Sequence, residues 1–211
     1  TANPHQLPAT ASAYDAALEM ATHGVRHLLV VTSDGILKGV VSERDLFSLQ
    51  RISLRQIRAG IDNAADIEAL QRASKDIRQL ALNLIAQGIG AEQLTQFISA
   101  LNDALTRRII TLARERHDLV GIEFAWFAFG SEGRHEQTLS TDQDNGIIFR
   151  CADAKQLKET RARLVEFART VNEDLAACGF PLCKGNIMAS NPELCLTLDE
   201  WKSRFGDWIR E

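Results

Sequence analysis

The stretch GSEGRHEQTLSTDQDNGIIF, residues 130–149, sets two glycines, a serine and an arginine ahead of two aspartates one residue apart, and then turns apolar. Before it stands IEFAWFAF, residues 122–129, too apolar and aromatic for anything but a buried strand, and NGIIFR at its end predicts the next strand. The stretch therefore links two strands. Gly130 and Ser131 come directly off the first, where a glycine lets a backbone N–H approach a ligand closely. Arg134 adds a planar cation suited to phosphate oxygens.

Asp142 and Asp144 are two apart, so on an extended segment both carboxylates point to the same face. Two carboxylates about 6 Å apart at an effective dielectric near 20 repel by roughly 3 kcal/mol. A divalent cation between them reverses that sign, and magnesium takes oxygen ligands together with phosphate. The competing reading is a solvated polar hairpin loop. An EF-hand does not fit, because Gly146 stands where a third oxygen ligand belongs, and a Walker loop fails for want of a lysine after the second glycine.

Working outward, Ile67, Leu70, Ala73, Ile77, Leu80, Leu84 and Ile85 share one helical face, with Asn63 and Asp66 as an N-terminal cap and Gly88 as the stop. Leu94, Phe97, Ile98, Leu101, Leu105, Ile109 and Leu112 repeat the period in a second helix, which predicts an antiparallel pair joined by GIGA. SLRQIRAGI adds a shorter helix. Beyond the two strands, Leu157, Leu164, Phe167, Ala168, Val171 and Leu175 mark a long helix. A third strand is expected near LCKGNIMA, and LDEWKSRFGDWI is expected to be helical, with Trp201, Phe205 and Trp208 on a core face. Toward the N-terminus, a short helix over residues 14–21 ends at Gly24, HLLVV reads as a buried strand and ILKGVVS as a second strand beyond an SDG turn, and Ser42 caps the helix ERDLFSLQ.

The chain has 211 residues, and 24 Lys and Arg against 28 Asp and Glu leave it with a net charge of −4, which argues against bulk nucleic acid or an anionic membrane as partner. No apolar run approaches the roughly 18 residues that span a bilayer. The four cysteines, Cys151, Cys178, Cys183 and Cys195, form no C-x-x-C pair or disulfide framework and read as reduced thiols of a cytoplasmic protein. A start at Thr1 without methionine points to a processed chain or an excised piece. His23 and His27 have i, i+4 spacing, but Gly24 breaks the helix between them, against a zinc pair.

Gly130, Ser131, Gly133, Arg134, Glu136, Thr141, Asp142 and Asp144 together resemble the signature of the nucleotidyltransferase superfamily. The resemblance is closest to signal-protein (PII) uridylyltransferases and to bacterial nucleotidyltransferases that carry CBS domains. It implies that Gly130, Ser131 and Arg134 bind a nucleoside triphosphate, that Asp142 and Asp144 are catalytic and hold Mg2+, and that Glu136 orients Arg134. It also implies a third carboxylate on a later strand. PLCKGNIMASNP holds none there, leaving Glu193 or Asp199 as substitutes.

GVRHLLVV followed by GILKGVVSERDL is similar to one CBS motif. That resemblance implies contact of Ser42 and Asp45 with the ribose of an adenine nucleotide, whereas local chemistry alone makes them a helix-capping pair. CBS motifs work as tandem pairs, so a partner motif upstream or on a second chain, as in a homodimer, is implied. The expectation is an α+β protein: a partial CBS unit over 1–52, a helical module over 53–118, and a nucleotidyltransferase-type mixed sheet flanked by helices over 119–211. Its expected activity is Mg-dependent transfer of a nucleoside monophosphate, with uridylyl or adenylyl specificity, to a protein or small-molecule acceptor under CBS control. A nucleotide sensor without turnover is the rival.

Overall fold

The computed structural model describes residues 4–86 and 89–210, so the helix stop expected at Gly88 lies outside the described residues. The fold is mixed α and β, with two compact units, Thr1–Gln56 and Ile57–Glu211.

In the first unit β1 (Gln6–Pro8) precedes α1 (Ala13–His23), β2 (His27–Val31) and β3 (Leu37–Ser42), and α2 (Glu43–Asp62) begins. Ser12 and Asp15 form a capping box at the start of α1, and Gly24, at φ 62°, closes its end in the left-handed conformation that glycine adopts without strain. The sheet order is β1-β2-β3, with β1 parallel and β3 antiparallel to β2. Ala16, Met20 and Leu28 form its core, with Leu7, Val25, Val41 and Leu46 packed around them.

Two expectations change here. β1 was not legible, because three residues ending in proline carry no period. HLLVV buries only Leu28, and Val40 of the neighbouring strand is half exposed, so this sheet is covered on one face. ERDLFSLQ and SLRQIRAGI, expected as separate helices, are one continuous α2 with no glycine or proline between them to stop it.

The second unit holds α3 (Ile67–Ala86), α4 (Ala91–Glu115), β4 (Phe124–Ala128), the one-turn α5 (Gly130–Gly133), β5 (Asn145–Phe149), α6 (Leu157–Ala177), β6 (Cys195–Thr197) and α7 (Leu198–Arg210). Asp66 caps α3 by accepting from the Ala69 amide at 2.7 Å, whereas Asn63 donates to the Ala59 carbonyl and finishes α2 instead. The predicted faces of α3, α4 and α6 supply Leu70, Leu105, Ile109, Leu164 and Phe167 to the core, all fully buried, while Ile85 and Phe97 are exposed. α4 packs on both α3 and α6.

The sheet order is β4-β5-β6, with β5 antiparallel to β4 and parallel to β6. The third strand is therefore Cys195–Thr197 and not the stretch LCKGNIMA, which instead runs as a loop through Asn186 at φ 56°. Trp201 is buried and its indole N–H donates to the Ile147 carbonyl at 2.9 Å, but Phe205 and Trp208 are half exposed, so only the first of the three is core. All four cysteines are free. Among the described residues no helix is long and apolar enough to cross a membrane.

Gly146 lies in the middle of this packing. A Cβ there would stand 3.0 Å from the Phe127 ring, 3.1 Å from the Leu194 carbonyl oxygen and 3.2 Å from the Trp201 indole. Gly146→Ala is expected to destabilise the second unit by about 1–3 kcal/mol, the usual cost of overpacking, measured by urea unfolding followed through tryptophan fluorescence.

Candidate active site on the β4–β5 connection

The site begins where β4 ends. Phe129 holds the last extended position, its amide donating to the Asp144 carbonyl at 2.8 Å, so the β4–β5 ladder continues one pair beyond Ala128 and Asn145. Gly130 then turns the chain at φ 54°, and residues 130–133 close a single helical turn through Gly133 N to Phe129 O at 2.8 Å. Such a turn leaves its leading amides without intrahelical acceptors.

Two glycines make this turn possible for separate reasons. A Cβ on Gly133 would sit 2.7 Å from the Ala128 carbonyl oxygen. On Gly130 it would sit 2.7 Å from Oδ2 of Asp144, so the Asp144 carboxylate lies directly over the Gly130 Cα.

What points Asp142 and Asp144 outward is a set of buried amides, on Gln143 between them, on Asn145 after them and on Asn172 of α6. Gln143, Asn145 and Asn172 are all at most 2% exposed. The Gln143 side-chain N–H2 donates to the carbonyls of Asn172 and Phe180, at 2.9 and 2.8 Å. The Asn172 amide donates to Oε1 of Gln143 at 2.8 Å and to Oδ1 of Asn145 at 3.1 Å. Ala189 and Ser190 donate their backbone amides to Asn145 and Asn172. Side chains alternate along extended chain, so with 143 and 145 fixed inward, 142 and 144 must face the other way.

The two carboxylates accordingly converge: Asp142, Asp144 and Cys183 place ligand atoms within 4.8 Å of one another. Asp142 is exposed and Asp144 half buried, and among the described residues no cation pairs with either. This donor set fits magnesium, which takes one or two protein carboxylates and completes its shell with water and phosphate. The Cys183 thiol is a soft donor and does not suit it. The candidates for a third carboxylate are engaged elsewhere, Glu193 with Arg204 and Asp199 with Lys202.

Arg134, beside the turn, pairs with Glu136 at 2.8 Å, and both remain largely exposed. The Ser131 hydroxyl makes no hydrogen bond to another described residue. His135, at φ 56°, approaches Asp103 of α4 at 3.6 Å. Behind the acid segment a cavity of about 310 Å3 opens between α3, α4 and Thr141, with Lys75, Arg78 and Asn102 among its lining, but Asp142 and Asp144 do not reach it. Ser42 and Asp45 lie in the first unit and bond to each other. The Ser42 hydroxyl donates to Asp45 Oδ2 at 2.6 Å, and the Asp45 amide donates back to the hydroxyl at 3.2 Å.

Sequence reasoning overlooked Glu132, the variable position of the turn. Burial, and then the negative charges of Asp103 and Asp144, raise its carboxyl from 4.5 to about 7. It also overlooked Gln143, Asn145 and Asn172. The signal for the first two was present in the alternation: if Asp142 and Asp144 face out, their neighbours face in and need partners.

Residues 75–211 match the family described as Putative nucleotidyltransferase DUF294, and residues 1–51 match the CBS domain. The first match spans well over half of the chain, and the chain belongs to that family. No curated protein and no solved structure matches it.

Glu132 makes this region sensitive to pH. Below about pH 4.5 the group is protonated folded or unfolded; between there and about 7 the folded chain keeps a proton that the unfolded chain has released, so stability falls as pH rises through that window. Glu132→Gln is expected to flatten the decline, matching the wild-type chain at pH 4.5 and exceeding it at pH 8, in melting curves recorded with EDTA.

Proposed function

We propose that this chain transfers a nucleoside monophosphate from a nucleoside triphosphate to a hydroxyl on a protein or small-molecule acceptor. The observation that carries the reading is the convergence of Asp142 and Asp144 beside a glycine turn, with neither paired to a cation among the described residues. Asp142 and Asp144 hold Mg2+. When bound there, the ion neutralises phosphate oxygens and acidifies an attacking hydroxyl. Gly130 and Ser131 present backbone amides and a free hydroxyl to the triphosphate, and Arg134, steadied by Glu136, adds a guanidinium for its oxygens. Gly130 matters twice, for the turn and for the room it leaves to Asp144.

The proposal extends to the rest of the chain. Divisions at 1–52, 53–118 and 119–211 separate a CBS unit, a helical module and the transferase domain. An adenine nucleotide at Ser42 and Asp45 would regulate transfer, although mutual capping already engages both side chains. A cytoplasmic homodimer and a uridylyl or adenylyl donor belong to the same reading. Neither Glu193 nor Asp199, the candidates on the later segment, joins the pair, which favours a second reading, a nucleotide sensor that does not turn over.

Asp142→Asn and Asp144→Asn should each lower pyrophosphate release by about a hundredfold or more, with the circular dichroism spectrum unchanged. Without magnesium both variants should melt slightly above the wild-type chain, because a like-charge repulsion is gone. The assay uses each of the four triphosphates with cell extract as the source of acceptor. Wild-type release from either variant removes the pair from the metal role. Magnesium-dependent nucleotide binding with no release from the wild-type chain establishes the sensor.

A further inference from the structure

The first unit contains a second convergence of ligand atoms, unrelated to the acids of the transferase unit. Glu19 and His23 stand one turn apart on α1 and face the same side. His5 comes from the segment just before β1. Its position is fixed where the Leu29 amide donates to the His5 carbonyl at 3.0 Å, in register with the parallel β1–β2 pairing. Oε1 of Glu19 lies 3.1 Å from Nε2 of His23 and 3.8 Å from Nδ1 of His5, and the two imidazoles stack with centroids 4.2 Å apart. One ligand atom from each of the three residues falls within a 4.8 Å span.

We infer that His5, Glu19 and His23 form a binding site for a divalent transition-metal ion of the zinc type. Zinc bonds imidazole nitrogen and carboxylate oxygen at about 2.0–2.2 Å in tetrahedral geometry, so ligand atoms sharing one ion lie about 3.3 Å apart. The separations to Glu19 already bracket that distance. Three protein ligands leave a fourth position for water, which partial exposure of the trio supplies.

The chemistry also separates this site from the aspartate pair. Imidazole nitrogens select zinc-type ions, whereas two carboxylates with phosphate select magnesium. Bound metal would tie the chain ahead of β1 to the last turn of α1 and stabilise the folded unit in proportion to its occupancy.

The test is titration of the full, tag-free chain with Co2+, followed by visible absorption, with Zn2+ as competitor. One equivalent of Co2+ is expected to develop visible bands that Zn2+ abolishes and excess Mg2+ does not. His5→Ala and His23→Ala should each weaken uptake by at least about tenfold, since losing even an outer partner of a metal ligand costs that much. Glu19→Gln, which keeps both rings, should also weaken it and serves if either alanine variant fails to fold. The Asp142→Asn/Asp144→Asn double variant should bind Co2+ as the wild-type chain does. The proposal is overturned if the chain takes up no Co2+, if His5→Ala and Glu19→Gln bind it as tightly as wild type, or if the double aspartate variant abolishes uptake.

Discussion

Three buried amide side chains, on Gln143, Asn145 and Asn172, set the geometry on which the transferase unit depends. They join β5 to α6 and hold the 180–190 loop against both, using hydrogen bonds at 2.8 to 3.2 Å. Each such group left without a partner in the interior costs about 1–3 kcal/mol, so the network is stable only when complete. Its register is also unforgiving. A slip of one residue would bring Asp142 and Asp144 inward and expose the amides, trading a satisfied network for two buried, unpaired charges. The outward direction of the acids is thus a by-product of what lies beneath them.

A second constraint comes from volume. Gly130, Gly133 and Gly146 each stand where a methyl group would meet another atom at 2.7 to 3.0 Å, and the three lie within one short connection and the strand it enters. Carboxylate, carbonyl and aromatic surfaces occupy the room that side chains would otherwise take. The crowding brings Glu132 close enough to Asp144 and Asp103 for their charges to act on it. A turn packed this tightly has little freedom left to lose when a ligand arrives, which keeps the ordering cost of binding low.

Much of this was legible because periodicity is robust over long segments. α3, α4 and α6 each repeat their apolar face through five or more turns, and a stray exposed residue such as Ile85 or Phe97 does not erase the pattern. The acid pair was legible from spacing and alternation. β1 and β6 were not, since three-residue strands carry no measurable period and exist only through pairing with β2 and β5. α2 was divided because RIS in its middle is a mixture of polar and apolar residues, yet nothing there stops a helix. Cys183 is some forty residues from Asp142, and His5 is fourteen from Glu19 across a strand and a turn. Proximity of that kind is a property of the closed fold and has no local signature.

The four cysteines, inert as a framework, differ in burial. Burial drives the Cys178 and Cys195 thiols up to about 12, which keeps them in the unreactive protonated form. Cys151 and Cys183 are only partly covered, and of these Cys183 is the one that shares its surroundings with Asp142 and Asp144. The fold has therefore left one accessible sulfur at the mouth of the acid pair, silencing the two in the core. That sulfur is a native reporter: its alkylation rate senses whatever occupies the space between the aspartates, without a label having to be engineered into the chain.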